Sequence, residues 1–236
     1  MNKLDLVKKP EKVKKGIIPG FDVEGSDRDL IYRMKRDILA GTFKRGDWLR
    51  LKELEQRYSV SRAEVRKALA ALELLRLLEH VEHYGYRVFE FDDEEEQDVQ
   101  EIRFILEIAA IEKVMARATP EDIKILRDLA EKFEWCIENA TMSETDLANH
   151  KFHRGMVGIC GNANLVQLIN NLRELFQVGG GTPWETYAGM RKSAEHHTKM
   201  IDFIEAKDID GFKVVLKEHM TRWMRDAAKK DTGTSD

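Results

Sequence analysis

The sequence predicts a mainly α chain in two parts. A small N-terminal helical domain closed by a β-hairpin covers residues 27–90, and an all-α bundle of about six helices covers 91–231. Three observations predict it. Apolar residues recur at helical spacing almost throughout, and alternation appears only around Gly85. The charge is also divided. Residues 1–90 hold 20 Lys+Arg against 15 Asp+Glu, whereas the remainder holds 19 against 28. A positive first part joined to an acidic second part suits a nucleic-acid-contacting domain with a partner domain of different work.

Residues 1–26 read as a flexible arm, because Pro10, Gly16, Pro19-Gly20 and Gly25-Ser26 prevent a sustained helix; 232–236 form a tail. From Asp27, Leu30, Ile31, Met34 and Ile38 recur on one helical face, and Gly41 ends that helix. Gly46-Asp47 turns the chain into a short second helix over about Lys52–Tyr58, with Leu54 and Tyr58 inward. Tyr58-Ser59-Val60 is a tight connection to a third helix starting at Ser61. There Ser61 and Glu64 have capping-box spacing. Val65, Ala68, Leu69 and Leu72 share one arc of this helix, while Arg62, Arg66 and Lys67 share the other. Two short helices so joined make a helix-turn-helix, and cations on the first turns of the second helix suit a DNA major groove. An ordinary surface helix is the plain alternative. Val81-Glu82-His83 and Tyr86-Arg87-Val88-Phe89 flank Gly85 as a hairpin, which reads as a wing. The acidic run Asp92–Glu96 marks the boundary as a solvated linker rich in helix-capping acids.

Helices follow near 93–118, 120–140, 143–160, 163–178, 186–206 and 209–229, with Pro120 at a favoured first-turn position and Gly179–Gly181 with Pro183 as a break. No run of apolar residues is long enough to span a bilayer, and Met1–Lys15 lacks the apolar core of a secretory signal. Cys136 and Cys160 make neither a disulfide framework nor a metal motif. A cytoplasmic protein without membrane partners is the expectation.

Residues 38–49, then Lys52-Glu53-Leu54, Val60-Ser61-Arg62, Val65-Arg66 and Ala68-Leu69, resemble the GntR family of bacterial transcription regulators. The bundle resembles the FCD effector domain of the FadR subfamily. The resemblance implies DNA contacts from Arg50, Lys52, Ser61, Arg62, Arg66 and Gly85: Arg62 and Arg66 reading guanine, Lys52 at phosphate or base, Ser61 capping a helix start near phosphate, and Gly85 at the wing. Two departures stand out. Glu64 takes a position often held by proline or threonine, and His83-Tyr84 replaces the usual basic wing residues.

The bundle holds His150, His153, His196, His197 and His219. By spacing alone, structural or surface histidines account for them. The resemblance implies otherwise. Phe152-His153 before Gly161-Asn162, Glu195-His196-His197 and Glu218-His219-Met220 match the metal-binding FCD pattern, making His153, His197 and His219 ligands. Asn149 stands where the family has aspartate, and Asp146 with His150 is a second-ranked register. Zinc heads the candidate divalent ions, before nickel, manganese or iron. Arg103 matches a family arginine that pairs with a small carboxylate effector, its plain alternative being a surface pair with Glu107.

The expected function is a homodimeric regulator, a repressor, that binds a palindromic DNA operator and responds to a small carboxylate or sugar-acid effector. The competing reading is a metal-dependent hydrolase with an accessory N-terminal module. It lacks a general-base motif such as HExxH beside its histidines, and the chain has no nucleophile motif.

Overall fold

The computed structural model describes residues 26–180, 184 and 186–231. The arm expected before Ser26, the tail expected over 232–236, and Gly181 and Pro183 of the expected break lie outside the described residues. Nine α-helices and a three-stranded sheet are present among the described residues.

In the N-terminal domain α1 (Ser26–Leu39) packs on α3 (Arg62–Leu74), with α2 (Leu51–Tyr58) between them in sequence. Leu30, Met34 and Ile38 from α1 meet Leu54, Val65, Leu69 and Leu72 in one buried cluster. Each side chain occupies the helical stripe that its spacing predicts. Ser59 ends α2 in the left-handed conformation, and Ser61 caps α3. The capping box is complete: Glu64 N–H donates to Ser61 Oγ at 3.3 Å, and Ser61 N–H donates to Glu64 Oε2 at 2.8 Å.

The wing differs in detail from the sequence expectation. Its strands are β2 (Leu78–Val81) and β3 (Gly85–Val88), so Glu82 and His83 belong to the turn and Leu78 to the strand. His83 itself takes a φ of 67°. A third strand, β1 (Trp48–Leu49), pairs with β3 through Trp48↔Arg87 and Leu49↔Tyr86, giving the order β1-β3-β2. Two residues carry too little periodicity to announce a strand.

Six helices form the second part: α4 (Asp93–Arg117), α5 (Pro120–Asn139), α6 (Met142–Gly158), α7 (Ala163–Leu175), α8 (Tyr187–Ala206) and α9 (Ile209–Asp231). The acidic run supplies the N-cap and first turn of α4, as the expected helix start at 93 requires, and only its linker character is not seen. Asp92 accepts from Glu95 N–H at 2.8 Å, and Asp93–Glu96 fill the first turn, where the helix dipole favours them. Thr119 and Thr141 cap α5 and α6 with the same box that starts α3. The helix expected over 163–178 is shorter: α7 stops at Leu175, and a single 3-10 turn, Val178–Gly180, follows.

That turn docks on the first domain. Val99, Leu175 and Val178 join the N-terminal hydrophobic cluster, so one core runs across both parts. The backbones touch at Gly41 and Gly180, both at positive φ. A Cβ on Gly41 would lie 2.9 Å from the Gly180 Cα. Gly41→Ala therefore combines a left-handed φ with a backbone clash, and should lower stability by roughly 1–3 kcal/mol in chemical denaturation. An unchanged midpoint would show that the contact is looser than this.

Candidate functional site

Two regions gather the residues singled out by the sequence. The first is a groove of about 810 Å³ between the helix-turn-helix and the wing. Arg50, Lys52, Arg62, Arg66 and Gly85 all line it, and the four basic side chains are exposed. Arg50 stands before α2 with extended backbone and no capping bond from its side chain. Arg62 leans toward Glu55 at 3.9 Å, a loose pair that leaves the guanidinium able to turn outward. Ser61 is committed to its helix cap, so its contribution is the orientation of the α3 N-terminus.

Sequence reasoning missed the aromatic lining of this groove. Trp48, His80, Tyr84 and Tyr86 stand among the cations. Tyr84, 78% exposed at the wing tip, lies with its ring centroid 5.9 Å from that of Trp48. An exposed tryptophan directly ahead of a short helix was the available signal. Cations interleaved with flat apolar rings suit a polyanion whose sugars and bases offer both kinds of surface.

The second region lies inside the bundle. α6 buries Ala148, Asn149, Phe152, His153, Met156 and Val157, a helical stripe into which two polar residues are set one turn apart. α8 buries His197 between Ser193, Ala194, Met200 and Ile201, while α9 sets His219 beside Leu216 and Met220. These three stripes bring His153, His197 and His219 together, with their potential donor atoms within 4.8 Å of one another. His153 Nε2 lies 3.1 Å from His219 Nε2 and 3.2 Å from His197 Nε2. The His197 ring stacks on Phe152 at 4.1 Å and lies 4.8 Å from Phe133, so apolar walls hold it.

Burial, followed by the Arg173 guanidinium, pushes the His153 and His197 pKa values well below the ordinary range. His219 is lowered by burial, then by His197 and Arg173. All three rings are therefore neutral at neutral pH, the form that donates a lone pair. One proton or one in-plane lone pair on His153 Nε2 serves a single partner well. At most one of the two contacts can therefore be a good hydrogen bond, and a cation shared by the three rings would satisfy all of them. Tetrahedral zinc with imidazole ligands sets neighbouring nitrogens about 3.3 Å apart, close to the two spacings from His153 Nε2. Asn149, one helical turn before His153, has its Oδ1 buried without a hydrogen-bond partner, so an oxygen is available as a fourth donor. The residues present fit a divalent ion.

Asp146 and His150 are placed differently. They face each other at 3.7 Å, and Asp146 accepts a hydrogen bond from Gln177, outside the three-imidazole cluster. Burial raises the Asp146 pKa to about 6 against the lowering effect of Gln177. Burial, then Arg173 and Arg103, lowers His150 to about 3.

Arg103 does pair with Glu107, but the pair is buried rather than on the surface: Glu107 has no exposed area. Arg103 reaches Glu107 Oε1 from Nη2 at 3.2 Å and Gln100 Oε1 from Nη1 at 3.4 Å. Arg173, from α7, reaches the same carboxylate at 3.1 and 3.2 Å. Burial lowers Arg173 to about 10, with Glu107 opposing, so it stays charged at neutral pH. Two guanidiniums thus share one carboxylate, and the buried cluster carries one positive charge in excess, which suits an anion. Arg173 escaped sequence reasoning, although an arginine one turn after Ile169 on the buried stripe of α7 was a visible signal.

The neutral histidines set a pH dependence in metal-free protein. Unfolded histidines take up protons near pH ~6.5, whereas the folded ones resist until lower pH, so stability falls on acidification. Asp146 acts in the opposite sense, because its folded pKa is raised: the stability it contributes at low pH is lost as pH rises through about 6. Four histidines outweigh one carboxyl. In chelator, the urea midpoint should be lower at pH 5.5 than at pH 8; a higher midpoint at pH 5.5 would contradict neutral histidines.

Comparison with known proteins gives two family matches. Residues 28–88 match "Bacterial regulatory proteins, gntR family", and residues 98–222 match the FCD domain. The HTH-type transcriptional regulator YdhC of Bacillus subtilis (strain 168) is 30% identical over 145 residues, which are 61% of this chain and 64% of YdhC. The chain therefore spans less than two thirds of YdhC's own length. The HTH-type transcriptional regulator McbR of Escherichia coli (strain K12) is 25% identical over 192 residues, 79% of this chain and 86% of that relative. Among solved structures, E. coli McbR/YncC superposes with a TM-score of 0.75 at 22% identity, covering 89% of this chain and all of that one. A putative GntR regulator from Rhodococcus sp. RHA1 gives 0.70 at 18% identity, covering 89% of this chain and 99% of its own; these structural likenesses speak for the fold. The domains and relatives are those of transcription regulators and not of an enzyme. With the FCD match alone covering more than half its length, the chain belongs to the GntR family of bacterial regulatory proteins, with an FCD domain behind its winged helix-turn-helix.

Proposed function

We propose that this regulator is a repressor that binds a palindromic operator as a homodimer and changes its hold on DNA when a small carboxylate or sugar-acid effector enters the bundle. The observation that carries the reading is the groove in which Arg50, Lys52, Arg62 and Arg66 stand exposed around the first turns of α2 and α3. Arg62 and Arg66 are one helical turn apart, which suits two neighbouring base steps in a major groove. Lys52 and the α3 N-terminus serve phosphates, and the wing at Gly85 serves the adjacent minor groove. Exposed Ile102, Ile105 and Ala109 along the outer face of α4 support pairing with a second copy, which a palindrome requires.

Inside the bundle, His153, His197 and His219 with Asn149 would hold a divalent ion, zinc first among the candidates. Bound there, the ion supplies a Lewis-acidic centre with open positions for an anionic ligand. Arg103 and Arg173 add charge and bidentate donors nearby. The amide of Asn149 is a neutral donor and weaker than a carboxylate, so the ion is held less tightly than at a site with aspartate.

Selection of tight-binding duplexes from a random pool, using the full chain, tests the DNA reading. The Arg62→Ala/Arg66→Ala double variant should lose at least about a hundredfold in affinity for the selected duplex while keeping its circular dichroism. Undiminished binding would end this reading. Lys52→Ala should instead weaken all duplexes alike and reduce the salt slope by about one. A reporter promoter carrying the selected duplex should be silenced on co-expression; increased transcription would reverse the assigned sign. For the metal, protein purified without chelator should carry about one ion per chain, lost in His153→Ala and His197→Ala.

A further inference from the structure

A chain of ring and guanidinium contacts leads from the buried arginine cluster to the DNA-reading domain. The Arg103 guanidinium lies over the Phe176 ring at 5.1 Å. Phe176 in turn stacks on Phe91, at 5.1 Å and 30° between planes. Arg45, from the turn before β1, lies over the Phe91 ring at 5.9 Å. Its Nη2 donates to the Phe176 carbonyl at 3.2 Å and its Nε to the Val178 carbonyl at 3.1 Å. Two arginines, one from each domain, thus cap the two sides of a two-ring stack.

From these contacts we infer that Phe176 is the positioning residue through which occupancy of the bundle site reaches the DNA-reading groove. The inference rests on the effector-responsive reading above and names its route. Three features favour this segment over a general loosening of the interface. Gln177 donates to Asp146 on α6, one turn ahead of His150 and three residues before Asn149, so the helix that carries His153 also holds the segment. The backbone contact beyond it has no slack, since a Cβ on Gly179 would meet Arg45 N at 2.5 Å and one on Gly180 would meet Gly41 Cα at 2.9 Å. Movement of 176–180 must therefore move 41–45. From there one tight turn, pinned to the wing, leads into the groove: Gly46 N–H donates to Val88 O, Val88 N–H donates to Asp47 O, and β1 then runs to Arg50 and Lys52.

An ion among the imidazoles acts on α6 and so, through Asp146, on Gln177 beside Phe176, while an anion that engages Arg103 competes with Phe176 for the same guanidinium. The cation–π contact weakens, and the stack shifts toward or away from Arg45. A contact this small transmits a signal only because the elements on both sides are packed and the coupling is reciprocal: DNA at the groove must alter the bundle site by the same factor.

Amide exchange of the full chain provides the test, read on the peptide covering residues 41–49. In wild type, added zinc chloride should change exchange of that peptide several-fold relative to chelator. Phe176→Leu should bind zinc with the same stoichiometry and lose the response. Arg103→Gln should shift exchange at 41–49 without any metal, and adding Phe176→Leu to it should change nothing further. Phe91→Leu removes the other ring and serves if Phe176→Leu does not fold. A full zinc response in the stack variant, or unchanged 41–49 exchange in Arg103→Gln, overturns the inference. If wild type takes up no zinc yet Arg103→Gln still shifts 41–49, the metal assignment fails and the coupling stands. If zinc binds at the histidines and 41–49 stays still, the coupling fails and the metal assignment stands.

Discussion

Glu107 is a carboxylate with no access to water, at the centre of α4, and an unpaired charge in that position would cost several kcal/mol. Its two arginine partners come from different places: Arg103 one turn earlier on α4, and Arg173 from α7. The long-range partner fixes α7 against α4. α7 leads directly into the Val178–Gly180 turn, which rests on the first domain. One buried ionic cluster therefore sets both the electrostatics of the bundle interior and the seating of the DNA-reading domain on it.

The same cluster explains the state of the histidines. Burial alone would keep imidazoles neutral, and Arg173 reinforces it, since a second positive charge close by disfavours protonation. The site thus presents neutral imidazoles beside the Arg173 guanidinium, which stays charged. The proposed cation among the imidazoles and anion at the arginines would answer these two halves, and the rings of Phe133 and Phe152 wall His197 with apolar surface.

Much of this was legible in the sequence where the signal is local. The capping box at Ser61 and the first-turn proline at Pro120 are local signals, and each marks the helix start that the structure shows, whereas the boxes at Thr119 and Thr141 went unread. The buried stripe of α6 follows directly from its helical spacing. Short strands were less legible: β1 exists because β3 offers it an edge, and the first wing strand was read three residues late, since Leu77-Leu78 extends the apolar pattern of the preceding helix. The helical spacing of Arg103 and Glu107 was visible, but their burial was not, because that depends on Arg173 arriving from seventy residues away in the chain.

By itself, then, the sequence determined the helix-turn-helix, its two outward arginines, the all-helical second part and the three histidines that family resemblance selects, because periodicity, capping and turn chemistry act over a few residues. Only the tertiary structure decided that the three imidazoles converge, that Arg103 and Arg173 share one buried carboxylate, that aromatic rings line the groove between the helix-turn-helix and the wing, and that Phe176 stands between the two domains. Those facts depend on which helices pack together, and packing joins residues whose separation along the chain carries no pattern of its own.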